Sequence, residues 1–139
     1  MSETALIVGA GSGLSASLAR LFHKEGMQVA LAARQTDKLD ALCAETNAKA
    51  YACDASSLQD VEKLFSALDT DFGSIDTVVY NPSARVRGPF IELDPAEVHR
   101  AINITAYGAF LVAQAALKRM SEKKKGNVLF TGASAGVKG

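Results

Sequence analysis

Val8-Gly9-Ala10-Gly11-Ser12-Gly13-Leu14-Ser15 joins two segments of different character. Before it runs Ala5-Leu6-Ile7-Val8, uniformly apolar, which reads as a strand buried on both faces of a parallel sheet. After it, Leu14, Leu18, Leu21 and Phe22 recur at helical spacing and read as the inner face of a helix. That helix extends to about Glu25, and Gly26 fits its stop. Glycine at such a junction permits a tight turn and lets the backbone approach an anion, whose charge then meets the N–H groups at the helix start. The backbone of Gly9, Gly11, Ser12, Gly13 and Leu14 is therefore the expected cradle for a pyrophosphate. A glycine string alone is a weak signal. Placed between a buried strand and an amphipathic helix, at the head of a β-α-β unit, it is far more specific.

The alternation continues outward. Val29–Ala32 reads as a second strand, and a helix over 36–47 places Leu39, Leu42 and Cys43 on one face. A third strand covers 50–53. Ser57 with Asp60 forms a capping-box-like pair that opens the next helix, lined by Val61, Leu64, Phe65 and Leu68. Thr77–Tyr80 is a fourth strand, followed by an irregular loop over 81–88. Asp94-Pro95-Ala96-Glu97 is a helix start with an N-cap carboxylate and Pro at the first position. Its helix runs to about Met120, with a bend expected near Asn103. A fifth strand covers 127–131, and residues 132–139 read as loop. Five strands alternating with helices predict an α/β fold, a doubly wound parallel sheet of order 3-2-1-4-5 in a single domain over 1–139. The fifth strand would be an edge carrying Val128, Leu129 and Phe130, which further residues or a partner chain is expected to cover.

Composition narrows the function classes. The chain of 139 residues is 48% hydrophobic and 22% charged, as in globular proteins. Fifteen basic residues balance fifteen acidic ones, so no net field would recruit nucleic acid or an anionic membrane. Lys123-Lys124-Lys125 reads as a solvated helix end, favoured there by the helix dipole. Cys43 and Cys53 have neither metal-ligand spacing nor the pattern of a disulfide framework, and read as small buried residues in a reducing compartment. The N-terminus lacks the basic start of a signal peptide, and no apolar run is long enough to span a bilayer, so the expected location is cytoplasmic.

Two nucleotide-binding families share this glycine turn. Read as Gly9-x-Gly11-x-Gly13, it suits a methyltransferase that binds S-adenosylmethionine, and Tyr80-Asn81-Pro82 is similar to part of an amino-methyltransferase string. Read as Gly9-x-x-x-Gly13, it resembles the short-chain dehydrogenase/reductase family, with Ser15 where that family usually has a further glycine. Ser15 is expected to widen the packing of the first helix slightly. The end of the second strand discriminates. A carboxylate there would bind both ribose hydroxyls, whereas this chain has Ala33-Arg34, and a guanidinium suits a 2′-phosphate. NADP is therefore expected, with NAD as the second choice.

The resemblance to the dehydrogenase/reductase family covers essentially the whole chain, which makes it a Rossmann-type domain. It implies that Asp54 accepts from the adenine amino group and Ala55 packs on the ring. Asn81 stands where the family has Asn-Asn-Ala-Gly, and is implied to hold the central sheet and border the cofactor. Asn103, with Gly108 and Phe110, resembles the motif whose Asn interrupts a helix and whose backbone carbonyl holds a water in a proton relay. The stretch from Gly126 to Gly136 resembles the strand end that delivers a catalytic serine. Aligned on Gly136, that position holds Ala133, and Ser134 lies one residue late. Either the loop is shifted and Ser134 acts, or the hydroxyl is missing. Ser134 is taken in the role, with Asn103. The family's Tyr-x-x-x-Lys would follow Gly139, so the chain is expected to be the front part of the domain.

The resemblance thus implies an oxidoreductase that transfers hydride between nicotinamide and a small carbonyl or alcohol substrate, as a homo-oligomer paired through the helix from Tyr107 to Leu117. A non-catalytic nucleotide-binding module and a methyltransferase are the alternatives. Arg85 and Arg87, in the loop before Pro89, are either contacts to an anionic substrate or solvated, and the solvated reading is preferred.

Overall fold

Residues 2–138 are described by a computed structural model. Their elements alternate as expected: β1 (Thr4–Val8), α1 (Leu14–Lys24), β2 (Gln28–Ala33), a 3-10 turn (Asp37–Leu39) leading into α2 (Asp40–Thr46), β3 (Lys49–Ala52), α3 (Leu58–Phe72) and β4 (Thr77–Tyr80). After a loop and a second 3-10 turn (Phe90–Glu92) come α4 (Pro95–Ile102), a π-turn (Asn103–Tyr107), α5 (Gly108–Lys123), β5 (Asn127–Phe130) and α6 (Ala135–Lys138).

The five strands form one parallel sheet in the order β3-β2-β1-β4-β5. β1 is central, with Val8 level with Ala32 on one side and Tyr80 on the other. Successive side chains of a strand face opposite ways. Leu6 and Val8 join Leu64, Phe65 and Val112 under α3 and α5, while Ile7 joins Ala16, Ala19 and Leu39 under α1 and α2. Such two-sided burial is why the strands read as continuous apolar runs.

α1 does not bury the face that its leucines suggested. Leu14 and Leu21 are 54% and 49% exposed, and the helix presents Ser15, Ala16 and Ala19 to the sheet, with Leu18 and Phe22 half-buried. Small side chains let the helix axis approach the sheet, so size decides the inner face here more than hydrophobicity does. The second helix region also splits, as 3-10 and then α, and Asn47 closes it in the left-handed conformation (φ 55°) that Asn tolerates. The last segment is not all loop: Ala135–Lys138 forms one helical turn.

The two sheet edges differ. On β3, Lys49 Nζ lies 2.6 Å from Asp71 Oδ2 and the Tyr51 hydroxyl donates to the same oxygen, so charge blunts that edge. On β5, Leu129 and Phe130 remain 50% and 56% exposed, as its edge position implies. At the helix end, Lys123 is not simply solvated, since its Nζ donates to the Ile75 carbonyl (3.3 Å).

Candidate functional site

β1 ends in a turn whose glycines serve different purposes. Gly9 has φ +83°, and a Cβ on it would lie 2.6 Å from Pro82 N and 2.7 Å from Pro82 Cδ. Its N–H and that of Ala10 both donate to the Ala32 carbonyl. Gly9 is therefore required by the protein's own packing. Gly11 and Gly13 are not: a Cβ on either meets nothing within 4 Å. Gly13 is the N-cap of α1 and supplies no side-chain cap, so the Leu14 and Ser15 N–H groups gain no acceptor from it, and the space beside Gly13 is open. An N-terminus of this kind attracts anions through its N–H groups and its dipole.

Ser15 is 1% exposed and works as a crosspiece rather than a spacer. Its hydroxyl donates to the Gly9 carbonyl (3.1 Å) and accepts from Asn81 Nδ2 (2.8 Å). Asn81 also donates its backbone N–H to the Val8 carbonyl. The glycine turn and the end of β4 are thus held in register through side chains that glycine could not supply.

Above the carboxyl ends of the strands lies a cleft of about 820 Å³. Such clefts are the usual ligand sites of doubly wound sheets. Of the residues expected to bind cofactor, Gly9, Arg34, Asp54, Ala55 and Asn81 line it, whereas Gly11, Ser12, Gly13 and Leu14 lie outside its lining, along the start of α1. Asp54 Oδ1 accepts from Ser56 N (3.0 Å) and Ser56 Oγ (2.7 Å), and no hydrogen bond to Oδ2 is found among the described residues. The Asp54 N–H donates to Asp60 Oδ2 (2.8 Å). Ser57 and Asp60 therefore form half of a capping box: Ser57 Oγ accepts from Asp60 N (3.3 Å), while the Asp60 carboxylate steadies Asp54 instead. Burial and the nearby Asp60 and Asp54 charges push the Cys53 thiol up to about 12, so it is an inert part of the floor.

Lys38, Arg85 and Arg100 also line the cleft, and the sequence alone did not mark Lys38 or Arg100 for the site. Lys38 could have been suspected from its spacing of four from Arg34. Arg100 is on α4, one turn before the π-turn, and only the loop after β4 brings it near the rest.

The π-turn falls where Asn103 predicted an interruption. The Gly108 N–H donates to the Asn103 carbonyl across five residues, in place of the usual four. It is anchored at two points. Thr105 Oγ1 accepts from Ala84 N (3.2 Å) and donates to the Ala84 carbonyl (3.4 Å). Tyr80, buried at the end of β4, donates its hydroxyl to the Ile104 carbonyl. Burial, followed by the Asp54 and Cys53 charges, pushes this phenol up to about 12, so it stays a donor at neutral pH. Gly108 leaves room for that contact: a Cβ there would meet Tyr80 Oη and lie 2.9 Å from the Ala55 carbonyl. Gly108→Ala is expected to destabilise the protein by about 1–3 kcal/mol through overpacking. Urea unfolding checks this, and Tyr80→Phe in the same background should restore part of the loss.

Asn103 and Ser134 are not brought together in the cleft. Asn103 is half-buried in the π-turn, and its neighbour Ile104 does the lining. Ser134 is exposed before α6, and its carbonyl accepts from Val137 and Lys138 N–H. Every described residue after β5 is exposed, so no packing fixes the Ser134 hydroxyl against the π-turn.

Comparison with known proteins places this geometry. The chain is 32% identical over 136 residues to tropinone reductase-like 1 of Erythroxylum coca, covering 93% of the chain and 50% of that protein. Actinorhodin polyketide ketoreductase, solved with NADPH, superposes with a TM-score of 0.93 at 29% identity, covering 99% of the chain and 56% of the other. NAD+-bound xylitol dehydrogenase superposes with a TM-score of 0.92 at 27% identity, covering 99% and 55%. The chain thus spans about half the length of the relatives it matches. The family model for short chain dehydrogenases matches residues 3–139, and the chain belongs to that family.

Proposed function

We propose that this chain is the cofactor-binding domain, over 1–139, of an NADP-dependent oxidoreductase that transfers hydride between nicotinamide and a small carbonyl or alcohol substrate. The observation that carries the cofactor choice is Arg34, which lines the cleft at the end of β2 where an NAD-preferring site would place a carboxylate. Lys38 lines the same cleft and adds charge favouring a 2′-phosphate. Actinorhodin polyketide ketoreductase was solved with NADPH, and xylitol dehydrogenase with NAD+, so NAD is the second choice.

The residues present fit such a cofactor. The open space at Gly11 and Gly13 leaves the backbone from Gly11 to Leu14 approachable by a pyrophosphate. Asp54 keeps Oδ2 for an adenine amino group, Ala55 offers a small apolar surface to the ring, and Asn81, held by Ser15, borders the nicotinamide ribose. When bound, the cofactor supplies or accepts the hydride. The Asn103 carbonyl is assigned to hold a relay water, and Ser134 to orient the substrate oxygen.

Proton exchange with the substrate would fall to the family's Tyr-x-x-x-Lys, a motif that none of Tyr51, Tyr80 and Tyr107 begins. Tyr80 does not suit it. Its hydroxyl is committed to Ile104 and its pKa is raised, the reverse of what a general acid–base needs near neutral pH. Tyr80-Asn81-Pro82, the string shared with methyltransferases, has structural work to do: Tyr80 holds the π-turn, and Pro82 packs on Gly9.

The free thiols of Cys43 and Cys53 suit a cytoplasmic protein. No helix among the described residues is long and apolar enough to cross a membrane. Tyr107, Phe110 and Leu117, exposed along the π-turn and α5, suit a homo-oligomer contact. The test of the cofactor assignment is calorimetry on the full-length protein. NADPH should bind at least about tenfold more tightly than NADH, and equal affinities or a preference for NADH would overturn it.

A further inference from the structure

Four cationic side chains line the cleft: Arg34, Lys38, Arg85 and Arg100. Among the described residues, Asp54 is the one carboxylate that lines it, and Ser56 takes one of its oxygens. In a chain with no net charge, that is a local concentration of positive charge. The cofactor reading uses Arg34 and Lys38, which follow β2 on one side of β1. Arg85 and Arg100 belong to the loop and helix after β4, on the other side of β1. In the same reading the start of α1 would meet the pyrophosphate. Two cations of the lining are therefore left without a role toward the cofactor, in a cleft whose positive charge attracts anions.

The position of Arg85 is built rather than incidental. On one side, Ala84 is held by the reciprocal hydrogen bonds with Thr105. On the other, Val86 lines a separate apolar hollow with Leu93, Val98 and Ile102. The backbone is pinned just before Arg85, which lines the cleft, while Arg87 lines neither cavity. Arg100 is steadied by Glu97, whose Oε2 lies 3.4 Å from Nε, and this leaves its two terminal nitrogens for another partner. Guanidinium groups with preset backbones suit bidentate recognition of an oxyanion.

We propose that Arg85 and Arg100 form a second anion-binding pair that takes a carboxylate or phosphate group of the substrate, not of the cofactor. The proposal rests on the cofactor reading, because that reading assigns the other two cations.

The test uses the full-length protein, first saturated with NADPH and then titrated with inorganic phosphate at constant ionic strength, with chloride as control. Amide chemical shifts in the segment 84–86 should change saturably. Replacing both arginines (Arg85→Ala with Arg100→Ala) should weaken phosphate binding at least about tenfold, with NADPH affinity within about twofold. Both side chains are exposed, so the fold should tolerate the change, and circular dichroism checks that it does. Absence of saturable binding, or binding that survives the double substitution, would overturn the proposal. So would a tenfold loss of NADPH affinity, which would assign the pair to the cofactor's own phosphates. If NADPH does not bind the unmodified protein, the cofactor reading fails instead. The phosphate titration is then read on unliganded Arg34→Ala protein, where saturable binding lost on replacing Arg85 and Arg100 supports the pair and any other result rejects it.

Discussion

Gly13→Val is expected to abolish cofactor binding while leaving the fold intact. The added side chain meets no protein atom, because a Cβ at Gly13 has nothing within 4 Å. The space it fills is the approach to the first N–H groups of α1. Hydrogen bonds to charged groups contribute about 1.5–3 kcal/mol each, so losing two of them corresponds to roughly a hundredfold to ten-thousandfold in affinity. Calorimetry with NADPH reads the loss, and far-UV circular dichroism with a thermal melt reads the fold. Gly9→Val is the informative contrast. There the Cβ would drive into Pro82 N at 2.6 Å, on a backbone at φ +83°, so the protein itself should be destabilised. Undiminished NADPH affinity in Gly13→Val would make the turn a purely structural device.

Arg34→Asp should reverse the cofactor order. The guanidinium is exposed at the end of β2 and lines the cleft, so replacing it removes little packing. A lost charge-assisted contact to phosphate is about 1.5–3 kcal/mol, and the new carboxylate repels a 2′-phosphate while accepting hydrogen bonds from free ribose hydroxyls. NADPH affinity should fall by about a hundredfold or more, and NADH should become the preferred ligand. Lys38 remains in the cleft, so the residual NADPH binding should be strongly salt-dependent. Paired titrations at low and high ionic strength check both statements. An unchanged preference for NADPH would place the 2′-phosphate away from Arg34.

The sheet and its order were readable from the sequence because β1, β2 and β4 are buried on both faces, which gives uninterrupted apolar runs, and because helical patterns alternate with them. The break at Asn103 was readable because Asn is a poor residue for a helix interior. Arg34, Asp54, Ala55 and Asn81 could be placed in one cleft because each follows a strand, and strand ends converge in this topology. The inner face of α1 was misread because leucine outranks serine and alanine in hydrophobicity, while close approach to the sheet selects for size. Arg85 and Arg100 were not readable as a pair: they lie fifteen residues apart, and the Thr105 anchor beside Arg85 depends on tertiary packing. The Asp60 contact to Asp54 was hidden behind an ordinary capping pattern that accounts for half of its bonds.

The central place of β1 has a kinetic consequence. It precedes the other four described strands in the chain, yet one of its two flanking partners, β4, begins at Thr77. The Thr4 N–H finds its acceptor, Asp76 Oδ2 at 2.9 Å, seventy-two residues further along. Until that length of chain has emerged and closed back, one side of Ala5-Leu6-Ile7-Val8 has no ladder to join. Long-range pairing of this kind slows folding and leaves apolar strand edges exposed in the interval. During synthesis, a fully buried strand is therefore the one that waits longest for its last partner, with one apolar edge open in the meantime.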